Sequence, residues 1–238
     1  MDLVVKDAAG LLNVSEKTIY RWIKDSKLPA FKINEQYRFN RAEILEWATS
    51  QRINVSADIF AEPSTNNKLP IPGLEDALKS GGIHYRIEGS EKDSVLKSVI
   101  DIMPLPEEVD KAFLLRVLLA RESLGSTGMG NGVAIPHVRN PIVMHIPRPM
   151  ITLCFLETPV DFEALDGKPV HTLFTMVSPT ISAHLSLLSK LAFALRRSDF
   201  SDVIVKRGSR EEILKIVHEI DSTVPQRKTE LAEGEAEK

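Results

Sequence analysis

The spacing of apolar positions changes several times along the chain, and each change predicts an element. Val5 to Leu12 carries a short helical pattern, Asn13-Val14 forms a turn, and Ser15 is a good N-cap for a second helix reaching about Asp25. In that second helix Ile19, Trp22 and Ile23 fall at i, i+3 and i+4, an apolar stripe. Lys17, Arg21 and Lys24 share a different face, with Thr18 and Tyr20 beside it. Ala30-Phe31-Lys32-Ile33, a tight Asn34-Glu35-Gln36 turn and Tyr37-Arg38-Phe39 then read as a β-hairpin. Asn40 and Glu43 make a capping pair for a closing helix that carries Ile44, Leu45 and Trp47. Helix, turn, helix, hairpin and helix in that order suggest a small winged DNA reader occupying residues 1–52.

Periodicity is lost over residues 53–69, where Glu62-Pro63-Ser64-Thr65-Asn66-Asn67-Lys68 reads as a flexible linker. From 70 to 221 the pattern alternates in kind. Helical spacing appears near 73–79, 92–102, 106–122, 182–197 and 209–220, and strand patterns near 83–87, 132–136, 150–156 and 171–177. That mixture predicts an α/β sandwich, a mixed sheet with packed helices. Residues 222–238 lack an apolar pattern and are expected to form a disordered tail.

Composition adds limits. The chain has 238 residues, 43% hydrophobic, enough for two modules with real cores, and its formal charge of −3 is unremarkable. Residues 1–52 carry only two more basic than acidic side chains, counting nine Lys or Arg (6, 17, 21, 24, 27, 32, 38, 41, 52) against seven Asp or Glu (2, 7, 16, 25, 35, 43, 46). A single module so weakly charged binds duplex DNA feebly at physiological salt, so a homodimer or a second factor is expected to help. A protein partner for this helical module is the competing reading. The lone cysteine, Cys154, lies in an apolar strand, which predicts a buried thiol and excludes an internal disulfide. With no apolar run of membrane-spanning length and no signal peptide, the protein is expected in the cytoplasm, away from membranes. His84, His145, His171 and His218 have no ligand spacing, so no metal site and no cofactor are expected.

The densest chemistry lies in residues 121–139, RESLGSTGMGNGVAIPHVR. Gly125, Gly128, Gly130 and Gly132 would let backbone N–H groups turn toward a small anion. The strand Val133-Ala134-Ile135 would then deliver Pro136 and His137 to a fixed point. A Walker A loop would need a following Gly-Lys-Ser/Thr, and a dinucleotide fingerprint would need glycine where Val133 stands. Nucleotide binding is therefore disfavoured. By its residues alone the stretch also fits a surface turn that ends in an ordinary histidine.

The run Arg121-Glu122, Gly125-Ser126-Thr127-Gly128-Met129-Gly130-Asn131-Gly132 and Ala134-Ile135-Pro136-His137 resembles the phosphorylation-site signature of fructose/mannitol-type enzyme IIA domains of the bacterial phosphotransferase system (PTS), and most of all their nitrogen-regulatory branch. The similarity extends through Leu156-Glu157-Thr158-Pro159-Val160-Asp161-Phe162 and His184-Leu185-Ser186-Leu187-Leu188, and spans roughly residues 70 to 221. Val138 departs from the small residue usual there. The resemblance implies that His137 is the phosphorylated residue, with Arg121 and His184 flanking the phosphoryl group. Ser126 and Thr127 could add hydroxyl donors, and the amides of Gly128, Gly130 and Gly132 would complete a phosphate loop. The expected donor is the histidine-containing phosphocarrier protein, charged from phosphoenolpyruvate through enzyme I. Leu3 to Ala48 is similar to excisionase-type, MerR-related helix-turn-helix domains, notably in Thr18-Ile19-Tyr20-Arg21-Trp22, Leu28-Pro29 and Tyr37-Arg38-Phe39. That match would place the second helix in the major groove, with Lys32 and Arg38 of the hairpin on the backbone or in the minor groove.

Together these features predict a regulatory phosphoryl acceptor joined to a DNA reader, a carrier through phosphohistidine rather than a multiple-turnover enzyme acting on small molecules. Two rivals remain: a regulator that binds a protein target without accepting phosphate, and a transport component that supplies a separate sugar-specific IIB protein. The acceptor reading expects an imidazole that an incoming carrier can reach, and it fails if that ring is sealed from solvent with the guanidinium pointing elsewhere.

Overall fold

The computed structural model describes residues 2–25, 27–33, 36–40, 43–44, 47–48, 73–138 and 146–223. The expected linker at 53–69, the turn residues 34 and 35, Leu45 and the tail from 224 onward lie outside them.

The N-terminal module contains β1 (Asp2–Leu3), α1 (Val5–Leu11), α2 (Glu16–Lys24), β2 (Phe31–Ile33) and β3 (Gln36–Asn40). Ser15 caps α2 as its sequence suggests: Thr18 N donates to Ser15 Oγ at 3.2 Å. The strands form one antiparallel sheet in the order β1-β3-β2. Ala8, Leu12, Ile19, Phe39, Ile44 and Ala48 are buried together, and Trp22 meets Trp47 edge-on with ring centroids 5.1 Å apart.

The second module continues with α3 (Leu74–Gly81), β4 (Ile83–Ile87), α4 (Lys92–Ile102), α5 (Lys111–Ser123), β5 (Gly128–Gly130), β6 (Val133–Ala134), β7 (Met150–Val160), β8 (Val170–Val177), α6 (Ile181–Arg196), α7 (Ser198–Val205) and α8 (Arg210–Thr223). Its five strands lie in the order β4-β7-β8-β6-β5, parallel at β4/β7 and β6/β8 and antiparallel at β7/β8 and β5/β6. This is the mixed sheet with packed helices that the pattern predicts.

Both faces of the sheet are covered, which explains why β7 and β8 read as near-continuous apolar runs. Ile151, Leu153 and Phe155 of β7, with Phe174 and Met176 of β8, pack against α3, α6, α7 and α8 through Leu78, Leu187, Leu191, Phe200, Ile213 and Val217. The alternate residues Cys154, Leu156, Leu173 and Val177 face α4 and α5 through Val95, Val99, Leu114 and Leu118. Cys154 is the buried thiol expected, and desolvation pushes its pKa up to about 12.

Several boundaries differ from the expected ones, and two elements are new. The helix predicted from 106 starts at Lys111, because Asp110 accepts the Phe113 amide at 2.9 Å and so caps it there. Helix α7 and the short strand β5 are additional. At the far end, residues 222 and 223 extend α8 rather than beginning a tail.

Helix α3 approaches the sheet so closely that a Cβ on Gly81 would lie 2.3 Å from the Ile151 carbonyl oxygen. Backbone cannot yield as a side chain can. Gly81→Ala is therefore expected to lower unfolding free energy by roughly 3 kcal/mol, measured by denaturant unfolding of the full chain.

Candidate functional site

His137 is delivered by the sheet. Strand β6 runs parallel to β8 in the register Val133↔Thr172 and Ala134↔Leu173, and the chain stays beside β8 as far as a bridge between His137 and Met176. Met176 N donates to Pro136 O at 2.9 Å. The imidazole turns back so that Nδ1 lies 2.7 Å from Ile135 O. A carbonyl can only accept, so Nδ1 carries the proton and Nε2 keeps its lone pair.

The three residues expected around the phosphoryl group do converge. His184, in the first turn of α6, places its ring centroid 5.2 Å from that of His137. Arg121, in the last turn of α5, anchors one guanidinium nitrogen, Nη1, on Gly125 O at 2.8 Å. Its charge is felt by both rings. His184 Nδ1 is buried with no hydrogen-bond partner, an orphan that an incoming acceptor or donor could satisfy. Leu185, the next residue of α6, joins the buried cluster of the N-terminal module.

The expectation of an open ring is not met: His137 is 3% exposed and His184 4%. The two rings lie side by side at a tilt of 47°. Desolvation, reinforced by Arg121, lowers the His137 pKa to about 4. Desolvation, then His137 and Arg121, lowers that of His184 to about 3. Both rings are neutral at pH 7.

The glycine loop also differs from the anion cradle expected of it. Residues 128–134 form a hairpin around Asn131-Gly132, whose φ values of 54° and 74° suit a two-residue turn. Of the glycine amides expected to hold phosphate, that of Gly128 is already engaged, as are those of Thr127 and Asn131. Thr127 N donates to the Glu122 carboxylate, Gly128 N to Ser126 Oγ at 2.9 Å, and Asn131 N to Asp166 Oδ2 at 2.7 Å. The hydroxyls are committed as well, Ser126 to Phe162 O at 2.5 Å and Thr127 to Glu122 Oε2 at 2.6 Å. Gly128 and Gly132 are required by packing, since added Cβ atoms would lie 2.6 Å from Ala164 Cβ and 2.3 Å from the His171 ring. Glu122 is the residue that sequence reading missed. An acid following an arginine in a helix resembles a solvated residue, and only Thr127 five positions on hints at its partner.

On the N-terminal module, Lys17, Tyr20, Arg21 and Lys24 form an exposed stripe along α2. Tyr20 meets Tyr37 edge-on at 6.2 Å, and Lys32 Nζ lies 5.4 Å from the Tyr37 ring, so the hairpin extends the same face. Arg38 is half-buried and donates from Nη2 to Gln36 Oε1 at 2.9 Å, and the Thr18 hydroxyl is engaged with Ser15. Among the described residues, no cluster of His, Cys, Asp and Glu could hold a metal ion, and no helix is long and apolar enough to cross a membrane.

Comparison with known proteins matches residues 77–220 to the family "Phosphoenolpyruvate-dependent sugar phosphotransferase system, EIIA 2" and residues 3–52 to "Helix-turn-helix domain". The chain is 37% identical over 153 residues to a nitrogen regulatory protein of Pseudomonas aeruginosa, covering 63% of this chain and 97% of that protein. It is 31% identical over 152 residues to a fructose-specific EIIABC component of Bacillus subtilis, covering 62% of this chain and 23% of the relative. The crystal structure of the nitrogen regulatory protein IIA-Ntr from Neisseria meningitidis is similar at a TM-score of 0.50 and 31% identity, covering 57% of this chain and 92% of that one.

The depressed pKa values give a pH dependence. An unfolded histidine protonates near 6.5, so below that pH the unfolded chain binds protons that the folded sites refuse. Stability is full above about pH 6.5 and falls as pH drops toward about 4 for His137 and about 3 for His184. Each ring costs up to about 1.4 kcal/mol per pH unit in that window. Thermal unfolding from pH 7 to 4 should show a steep acid slope in wild type and a shallower one in His137→Asn.

Proposed function

The chain belongs to the EIIA type 2 family of the phosphoenolpyruvate-dependent sugar phosphotransferase system and carries a helix-turn-helix domain at its N-terminal side, and from that premise we propose that it is a regulatory phosphoryl acceptor coupled to a DNA reader. The observation that carries the reading is a neutral imidazole with Nδ1 committed to Ile135 O, beside a second neutral imidazole and a guanidinium. In such a ring Nε2, the unprotonated nitrogen, is the nucleophilic atom.

Transfer from the phosphohistidine of a carrier protein follows from that arrangement. The Nε2 lone pair of His137 attacks phosphorus, the P–N bond to the carrier breaks, and the carrier's ring keeps the electron pair. Developing positive charge on the acceptor ring is eased by the Nδ1–H bond to Ile135 O. The equatorial oxygens gather the spread negative charge, which Arg121 and an N–H of His184 meet. Because His137 is 3% exposed, an opening must precede transfer. The same enclosure lowers the local dielectric and strengthens the guanidinium's effect.

Regulation rather than sugar transport is supported by relatives named nitrogen regulatory proteins, which this chain matches over 97% of the length of three of them. The similarity to a fructose-specific component keeps phosphate donation to a separate IIB protein as the second reading. Incubation with phosphoenolpyruvate, enzyme I and the phosphocarrier should label the wild-type chain and leave His137→Ala unlabelled. Equal labelling of both refutes the site.

The exposed stripe of Lys17, Arg21 and Lys24 supports contact with duplex DNA through α2. Arg21→Ala is expected to weaken duplex binding several-fold, and binding should fall steeply with added salt. Binding that ignores salt in a fluorescence-anisotropy titration points to a protein partner instead.

A further inference from the structure

We propose that Glu122 is a positioning residue for phosphoryl transfer, acting through Thr127 and Ile135 on the imidazole of His137; the inference rests on the acceptor reading above. Glu122 is 6% exposed and sits one residue beyond Arg121, in the last turn of α5. Its carboxylate takes two donors from one residue: the Thr127 amide lies 3.2 and 3.1 Å from the two oxygens, and the Thr127 hydroxyl donates to Oε2 at 2.6 Å. Lys92 Nζ, 3.8 Å from Oε1, supplies a compensating charge and also reaches Glu163 at 3.3 Å.

From Thr127 the chain of bonds continues to the reacting ring. Ile135 N donates to Thr127 O at 3.0 Å, and Ile135 O accepts from His137 Nδ1 at 2.7 Å. Glu122 thus holds Thr127 by its amide and its hydroxyl, and the carbonyl of the same residue holds Ile135, whose own carbonyl selects the tautomer of His137. Arg121 ties the same turn from its other side through Gly125 O. Two adjacent residues of one helix end therefore set the ring and its guanidinium against each other.

Glutamine at 122 keeps the volume but sets an NH2 donor about where Oε1 lies 3.2 Å from the Thr127 amide, donor against donor, and leaves one neutral oxygen for both the amide and the hydroxyl of Thr127. The loop must then shift, and with it Ile135 O. Misplacement of this kind costs on the order of tenfold to a hundredfold in transfer rate. The docking surface for the carrier is untouched, so the loss should fall on the maximal rate and leave the half-saturating carrier concentration unchanged.

The test uses the full chain with 15N-labelled histidine. Wild type should show a single protonated Nδ1 and an unprotonated Nε2 for His137 at pH 7, assigned by its absence in His137→Asn. Glu122→Gln should show a mixture of tautomers and the loss in maximal rate. Thr127→Val, which removes one of the three contacts, should show a smaller change in the same direction, and the double variant should be no worse than Glu122→Gln. Wild-type nitrogen shifts and rates in Glu122→Gln overturn the proposal. Should Glu122→Gln fail to fold, Thr127→Val decides, with wild-type shifts and rates again the overturning result. A wild-type chain that the carrier does not label sinks the acceptor reading alone, since the nitrogen shifts still judge the link between Glu122 and His137.

Discussion

The bond between His137 Nδ1 and Ile135 O decides what this site can do. A histidine with both ring nitrogens free would divide between two tautomers, which carry the lone pair on different ring nitrogens. Tying Nδ1 to a carbonyl two residues back makes the choice in the backbone. That carbonyl is itself held by the sheet, because Ile135 N is bonded to Thr127 O and the chain around Pro136 lies against β8. The chemistry of one nitrogen is thus inherited from strand pairing.

Burial completes the arrangement and has a cost. Two imidazoles removed from water beside a guanidinium cannot readily protonate, so their neutral forms persist well below neutral pH. The price is a sealed ring and an orphaned Nδ1 on His184. Polar atoms stranded in this way are tolerated where a ligand completes them.

Much of the site was legible because it is local. Arg121, the glycine run and His137 lie within seventeen residues, and the alternation of helix and strand patterns was enough for the mixed sheet. What escaped was set by partners distant in sequence or by competing donors. The glycines looked like a cradle because glycine permits one, yet Ser126 takes the Gly128 amide and Glu122 and Asp166 take those of Thr127 and Asn131. Asn131-Gly132 is itself the signature of a hairpin turn, and weighing it more heavily would have revealed β5. Gly-Met-Gly has little strand propensity, and only its neighbour makes it one. Burial of His137 could not be read at all, since it depends on α6 arriving from nearly fifty residues later.

The two ends of the second module meet. Asp221, in the last turns of α8, accepts the Glu75 amide at 2.8 Å and so satisfies a donor at the start of α3, and Gly73 leaves room for it, since a Cβ there would lie 2.9 Å from the same oxygen. Entry and exit of that module therefore share one corner, joined by the Asp221 carboxylate and by the contact of His218 Nδ1 with Glu75 Oε2 at 2.8 Å. A unit closed in this manner can receive a neighbouring domain at that corner without a break in its sheet.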